Sequence, residues 1–115
     1  MELPMRALLL NGDDGSIELI ICTIFMDGTG FEGGYDVWGL INIKANSYSV
    51  NKSEYYFTTG ALYRFYKQLE RCYKEIKGIA CYETIDNDFL LKAEFQKNGH
   101  VTLSGHYIQH FHVNI

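Results

Sequence analysis

Two rhythms of apolar residues divide the chain. Arg6 to Leu10 is a short apolar run, and Ile17 to Met26 is a longer one with β-branched residues at both parities. A run of that kind fits a strand covered, at least in part, on both faces. Between them, Asn11-Gly12-Asp13-Asp14-Gly15 places two glycines beside three Asx side chains. Such residues accept positive φ or bond locally to the backbone, so the two runs are predicted to close as a hairpin. From Tyr35 to Val50 the chain alternates. Trp38, Leu40, Tyr48 and Val50 share one parity, and Val37, Ile41, Ile43 and Ala45 share the other. This stretch reads as one long bent strand or as two strands broken near Ala45-Asn46-Ser47.

The period then changes. Leu62, Phe65, Tyr66, Leu69, Cys72, Tyr73 and Ile76 form a helical stripe, with Arg64, Lys67, Gln68, Arg71, Lys74 and Glu75 opposite. Thr58 or Thr59 suits the N-cap, and Gly78 suits the left-handed position after the last turn. A one-sided stripe predicts a helix lying across a sheet. After it, Ile79 to Ile85, Phe89 to Gln96 and His100 to Val113 read as strands. Asp86-Asn87 separates the first pair, and Asn98-Gly99 predicts a type I′ hairpin between the last two. The expected order is β-β-β-(β)-α-β-β-β. That is an α+β domain with one curved antiparallel sheet of about six strands and one long amphipathic helix packed across it.

Composition narrows the class. A chain of 115 residues, 47% hydrophobic and 21% charged, is long enough for one core and too apolar to be disordered. We read residues 1–115 as a single domain. No run reaches the roughly 18 apolar residues of a membrane span, and Met1-Glu2-Leu3-Pro4 lacks a basic signal-peptide start, so a cytoplasmic protein is expected. The three cysteines, Cys22, Cys72 and Cys81, form no CxxC and sit in apolar contexts, as small core residues do.

Charge is unevenly spread. The net charge is −4, which argues against nucleic-acid binding through a broad basic face. Asp13, Asp14, Glu18, Asp27, Glu32 and Asp36 fall in a stretch with no Lys or Arg between Arg6 and Lys44. Asp13, Asp14, Asp27, Glu32 and Asp36, with Tyr35 and Trp38, form the candidate partner-binding set. Acids of this kind steer a basic partner, and Tyr and Trp are enriched in interfaces.

Catalytic and metal patterns are weak. Asp13-Asp14 lies in a turn where Asp serves local hydrogen bonding. Gly28-x-Gly30-x-x-Gly33 matches a dinucleotide fingerprint, but no βαβ unit follows it. The four histidines, His100, His106, His110 and His112, share one strand parity, and His106, His110 and His112 are candidates for adventitious metal; no resident metal or other cofactor is assigned. No catalytic residue is assigned either.

Several signals fall in one order: Tyr35-x-x-Trp38-Gly39, Leu62-x-x-Phe65-x-x-x-Leu69, Gly78-x-Ala80, Phe89-Leu90-Leu91-Lys92-Ala93, Asn98-Gly99-His100-Val101 and Gly105-His106-Tyr107. Over roughly residues 8 to 112 the chain resembles the WapI-like family of bacterial immunity proteins. The resemblance implies a cytoplasmic, non-enzymatic protein. It would neutralise the C-terminal domain of a contact-delivered toxin, often a nuclease, by stoichiometric occlusion, with neither nucleic acid nor membrane as partner. It carries over no binding residues. Members tend to finish with a further strand and an acidic ending, whereas here His112-Val113-Asn114-Ile115 follows directly. A missing last strand would leave an unpaired sheet edge, open to a homodimer. Two other readings stay open: a small-ligand pocket under the helix, and a metal-dependent enzyme on the histidine strand.

Overall fold

The computed structural model describes residues 2–28, 33–84, 87–109 and 113–114. Seven strands and one helix follow in the order β1 (Met5–Asn11), β2 (Gly15–Phe25), β3 (Asp36–Ala45), β4 (Tyr48–Thr58), α1 (Thr59–Glu75), β5 (Gly78–Glu83), β6 (Phe89–Phe95) and β7 (Val101–Tyr107). The α+β class and the element order agree with the sequence pattern. The single sheet does not. β1-β2-β3-β4 form one antiparallel sheet and β5-β6-β7 another, and the chain divides into two compact units, Met1–Thr59 and Gly60–Ile115. The cause is local. β4 runs straight into α1 at Thr59, and among the described residues each strand pairs only with its neighbour in sequence. The alternating stretch from Tyr35 resolves into β3 and β4, turned at Asn46, whose φ of 54° is left-handed.

In the first unit, alternation buries one face of the sheet: Leu19, Ile21, Val37, Ile41, Val50 and Phe57. Gly39 of β3 lies on this face. A methyl group there would sit 2.1 Å from the Ile20 carbonyl oxygen and 2.8 Å from the Phe57 ring, so glycine is what lets β2 and the ring close in. The Phe57 ring stacks on Tyr55, with centroids 6.5 Å apart.

In the second unit, Ala61, Phe65 and Cys72 are the buried residues of α1. Phe65 meets Tyr82 edge-on at 6.0 Å, Tyr82 lies 5.3 Å from Phe89, and Phe89 meets Tyr107 at 5.8 Å. This aromatic chain, with Ala80, Leu91 and Ala93, is the core beneath the helix. Gln68 accepts the Cys81 N–H at 2.8 Å and ties α1 to β5. The stripe expected from periodicity is corrected on one flank. Tyr66 and Tyr73 are 59% and 77% exposed, and Ile76 is exposed. At about 100° per residue both tyrosines stand roughly a quarter turn or more from the Ala61–Phe65–Cys72 line. Tyrosine is apolar enough to fit the pattern and polar enough to face water.

The helix also ends earlier than Gly78 suggests. Lys77 N–H reaches the Cys72 carbonyl at 3.3 Å, and Ile76 holds φ 53°. That is a Schellman ending with a β-branched residue in the left-handed position. Ile76→Gly is therefore expected to raise stability by about 1 kcal/mol, because strain leaves and an exposed side chain contributes little packing. Urea unfolding reads this directly; a midpoint at or below the wild-type value would show that Ile76 is held by contacts worth more than its strain.

The predicted type I′ turn at Asn98-Gly99 is also corrected. Gly99 N–H donates to the Gln96 carbonyl at 2.9 Å, and Gly99 alone takes positive φ, at 87°. Asn98 spends its side chain on the His100 N–H at 3.1 Å, so Lys97-Asn98 are the central turn residues and Gly99 follows them.

Candidate partner-binding face

Among the described residues the other face of the four-stranded sheet is open apart from the buried Thr58, and its rows follow from the register. On β3, Asp36, Trp38, Leu40 and Asn42 alternate outward. Opposite them on β4 stand Thr58 beside Asp36, Tyr56 beside Trp38 and Glu54 beside Leu40. On β2, Phe25, Thr23, Ile20 and Glu18 face the same four positions. Directly opposed residues have Cβ atoms about 4.5–5.5 Å apart, so Trp38 and Tyr56 stand side by side across the strand pair. Ile20 and Leu40 extend the two as an apolar band, flanked by the carboxylates of Asp36 and Glu54. Tyr56 is 68% exposed and Trp38 half-buried.

A β-bulge decides this arrangement. Ala45 pairs with Tyr48 and Ile43 with Val50, but Ile41 pairs with Ser53, so Asn51 and Lys52 together oppose Asn42. Without the extra residue Trp38 would face Tyr55, and Tyr56 would turn inward. Lys52 has φ 49°, and its N–H donates to the Asn42 side-chain oxygen at 2.6 Å. The Asn42 amide donates to Glu18 at 2.9 Å, and Arg6 Nε donates to the other Glu18 oxygen at 2.6 Å. One polar chain therefore crosses all four strands and clamps the bulge.

Hydrogen bonds from Arg6 and then Asn42 hold the Glu18 carboxyl below the usual carboxylate range. A depressed folded-state pKa contributes stability that is present above the unfolded value, near pH 4, and is lost as pH falls through the folded value. Glu18→Gln is expected to cost up to about 1 kcal/mol at pH 7 and to flatten the loss of stability below about pH 4. Parallel acid dependence in variant and wild type would exclude Glu18 as the sensing group.

The expected site residues are dispersed. Asp36 and Trp38 lie in the open face. Tyr35 is exposed at its edge; its N–H donates to Thr59 Oγ1 at 2.8 Å, and Thr59 N–H returns a bond to its carbonyl at 2.9 Å. Asp13 and Asp14 are exposed in the β1–β2 turn, whereas Asp27 follows the far end of β2. Eleven residues of β2 separate them, about 35 Å of extended chain, so the acids do not form one patch. Glu32 lies outside the described residues. Tyr56 and Glu54, which the acidic–aromatic reading omitted, belong with Trp38.

His110 and His112 also lie outside the described residues. His106 Nε2 is 3.0 Å from the Asn87 carbonyl, and no group of three His, Cys, Asp or Glu gathers for a metal among the described residues. No helix there is long and apolar enough to cross a membrane.

A family model described as the immunity protein WapI-like family matches residues 9–113. The chain belongs to the WapI-like immunity protein family. The match spans both compact units. No curated protein and no solved structure matches the chain. Membership supports an immunity role with a toxin protein as partner, and a non-catalytic chain. On this WapI-like protein Trp38 and Tyr56 share one sheet face with Asp36 and Glu54.

Proposed function

We propose that this protein binds the C-terminal domain of its cognate toxin, a nuclease acting in the cytoplasm, and neutralises it by stoichiometric occlusion without turnover. Residues 1–115 act as one immunity domain. The observation that carries the reading is the family match over residues 9–113. The open face of the four-stranded sheet supports its placement: Trp38, Tyr56, Leu40 and Ile20 supply contact, while Asp36 and Glu54 complement a basic nuclease surface. Asp13, Asp14, Asp27 and Glu32 act at longer range, on encounter. Homodimerisation through a free sheet edge belongs to the same proposal.

The test is co-expression with the C-terminal domain of the toxin encoded next to this gene. Rescue of growth together with co-elution at one-to-one stoichiometry is expected. Neither rescue nor co-elution would overturn the assignment of that toxin as partner.

A further inference from the structure

Four strands lie at sheet edges: β1 and β4 in one sheet, β5 and β7 in the other. An edge strand exposes backbone donors and acceptors that another strand can pair, and proteins blunt such edges with charges, bulges or cover. Three of the four are blunted. β1 carries Arg6 and a register shift between Arg6 and Leu8. β4 carries Lys52, Glu54 and the bulge that Asn42 clamps. β5 is met by the Gln68 side chain of α1 at the Cys81 N–H.

Among the described residues β7 has none of these devices. Val101-Thr102-Leu103-Ser104-Gly105-His106-Tyr107 contains no Lys, Arg, Asp or Glu, and its seven pairs with β6 run without a shift. Among the described residues no strand pairs with its other side. Its apolar side chains also continue a buried face past its cover. In the row Ala80–Ala93–Leu103 the two alanines are fully buried, yet Leu103 is 37% exposed; Val101, next along the strand on that face, is 44% exposed.

We propose that β7 is the homodimer edge, pairing antiparallel with β7 of a second copy to join two three-stranded sheets into one of six. This rests on the self-association put forward above and names its surface. A second copy fits because an uncharged strand meets itself without like-charge repulsion. Antiparallel pairing of identical strands is also the closed two-fold arrangement that stops at a dimer. Val101 and Leu103 of both copies then share one face and cover each other.

The experiment is sedimentation equilibrium of the full chain at about 100 μM, a concentration that populates even a small interface. Wild type is compared with Leu103→Lys and Thr102→Lys; Thr102 lies on the opposite, exposed face, so its variant leaves the core untouched. Circular dichroism checks that each variant is folded. Wild type at twice the 13.2 kDa of one chain, with folded Thr102→Lys at a single mass, is the expected result. A wild-type dimer that survives both substitutions would move the interface away from β7 while leaving self-association standing. A wild-type monomer would overturn both. Toxin co-elution, read separately, stands or falls on its own.

Discussion

Tyr56→Ala is expected to weaken toxin binding by about 30- to 1000-fold, or about 2–4 kcal/mol, the range of a central aromatic anchor. The side chain is 68% exposed and stands beside Trp38 across the strand pair, so its removal leaves no cavity in the fold. Unfolding free energy should therefore stay within about 0.5 kcal/mol of wild type. Most of the loss is expected in the dissociation rate, because short-range contact governs how long the complex lasts. Trp38→Ala should act in the same direction, with some loss of stability because Trp38 is half-buried. Asp36→Asn with Glu54→Gln should instead slow association and flatten its dependence on salt. Surface-plasmon kinetics at two ionic strengths separates these effects. An unchanged Tyr56→Ala dissociation constant would remove the open sheet face from the interface, and a salt-independent association rate would remove the electrostatic part.

Gly39→Ala is expected to cost at least about 3 kcal/mol of folding stability, a large share of the roughly 5–15 kcal/mol available to a typical domain. The added carbon would lie 2.1 Å from a backbone oxygen of β2, which cannot swing aside as a side-chain end can. Relief requires β2 and β3 to separate, and that breaks the ladder around Ile21 and Gly39. The Phe57 ring, 2.8 Å from the same carbon, blocks the other direction. Urea unfolding followed by tryptophan fluorescence reports the loss, since Trp38 is the single tryptophan and neighbours Gly39 on β3. A shift smaller than about 1 kcal/mol would show that the two strands can part at low cost. Because Gly39 lies one residue from Trp38, this variant should also weaken toxin binding, through loss of the folded face rather than of contact.

By itself the sequence determined the α+β class, the order of strands around one helix, the opening hairpin and the family. These follow from period, turn chemistry and motif order, all of which are local or linear along the chain. It also singled out Trp38 and Asp36. Only the tertiary structure decided which strands share a sheet, because alternation reports that a residue faces an apolar layer and not which strand lies beside it. The register likewise appeared only in three dimensions. One extra residue at Asn51-Lys52 turns Tyr56 and Glu54 outward to join Trp38, and that bulge depends on Asn42, ten residues away from Lys52 in the chain. Tyr66 and Tyr73 face water although they fit the helical stripe, since an amphipathic ring satisfies either side and packing chooses. Asp13, Asp14, Asp27 and Asp36 fall in one acidic stretch of the sequence and in several places in the fold, because an extended strand of eleven residues carries its two ends far apart.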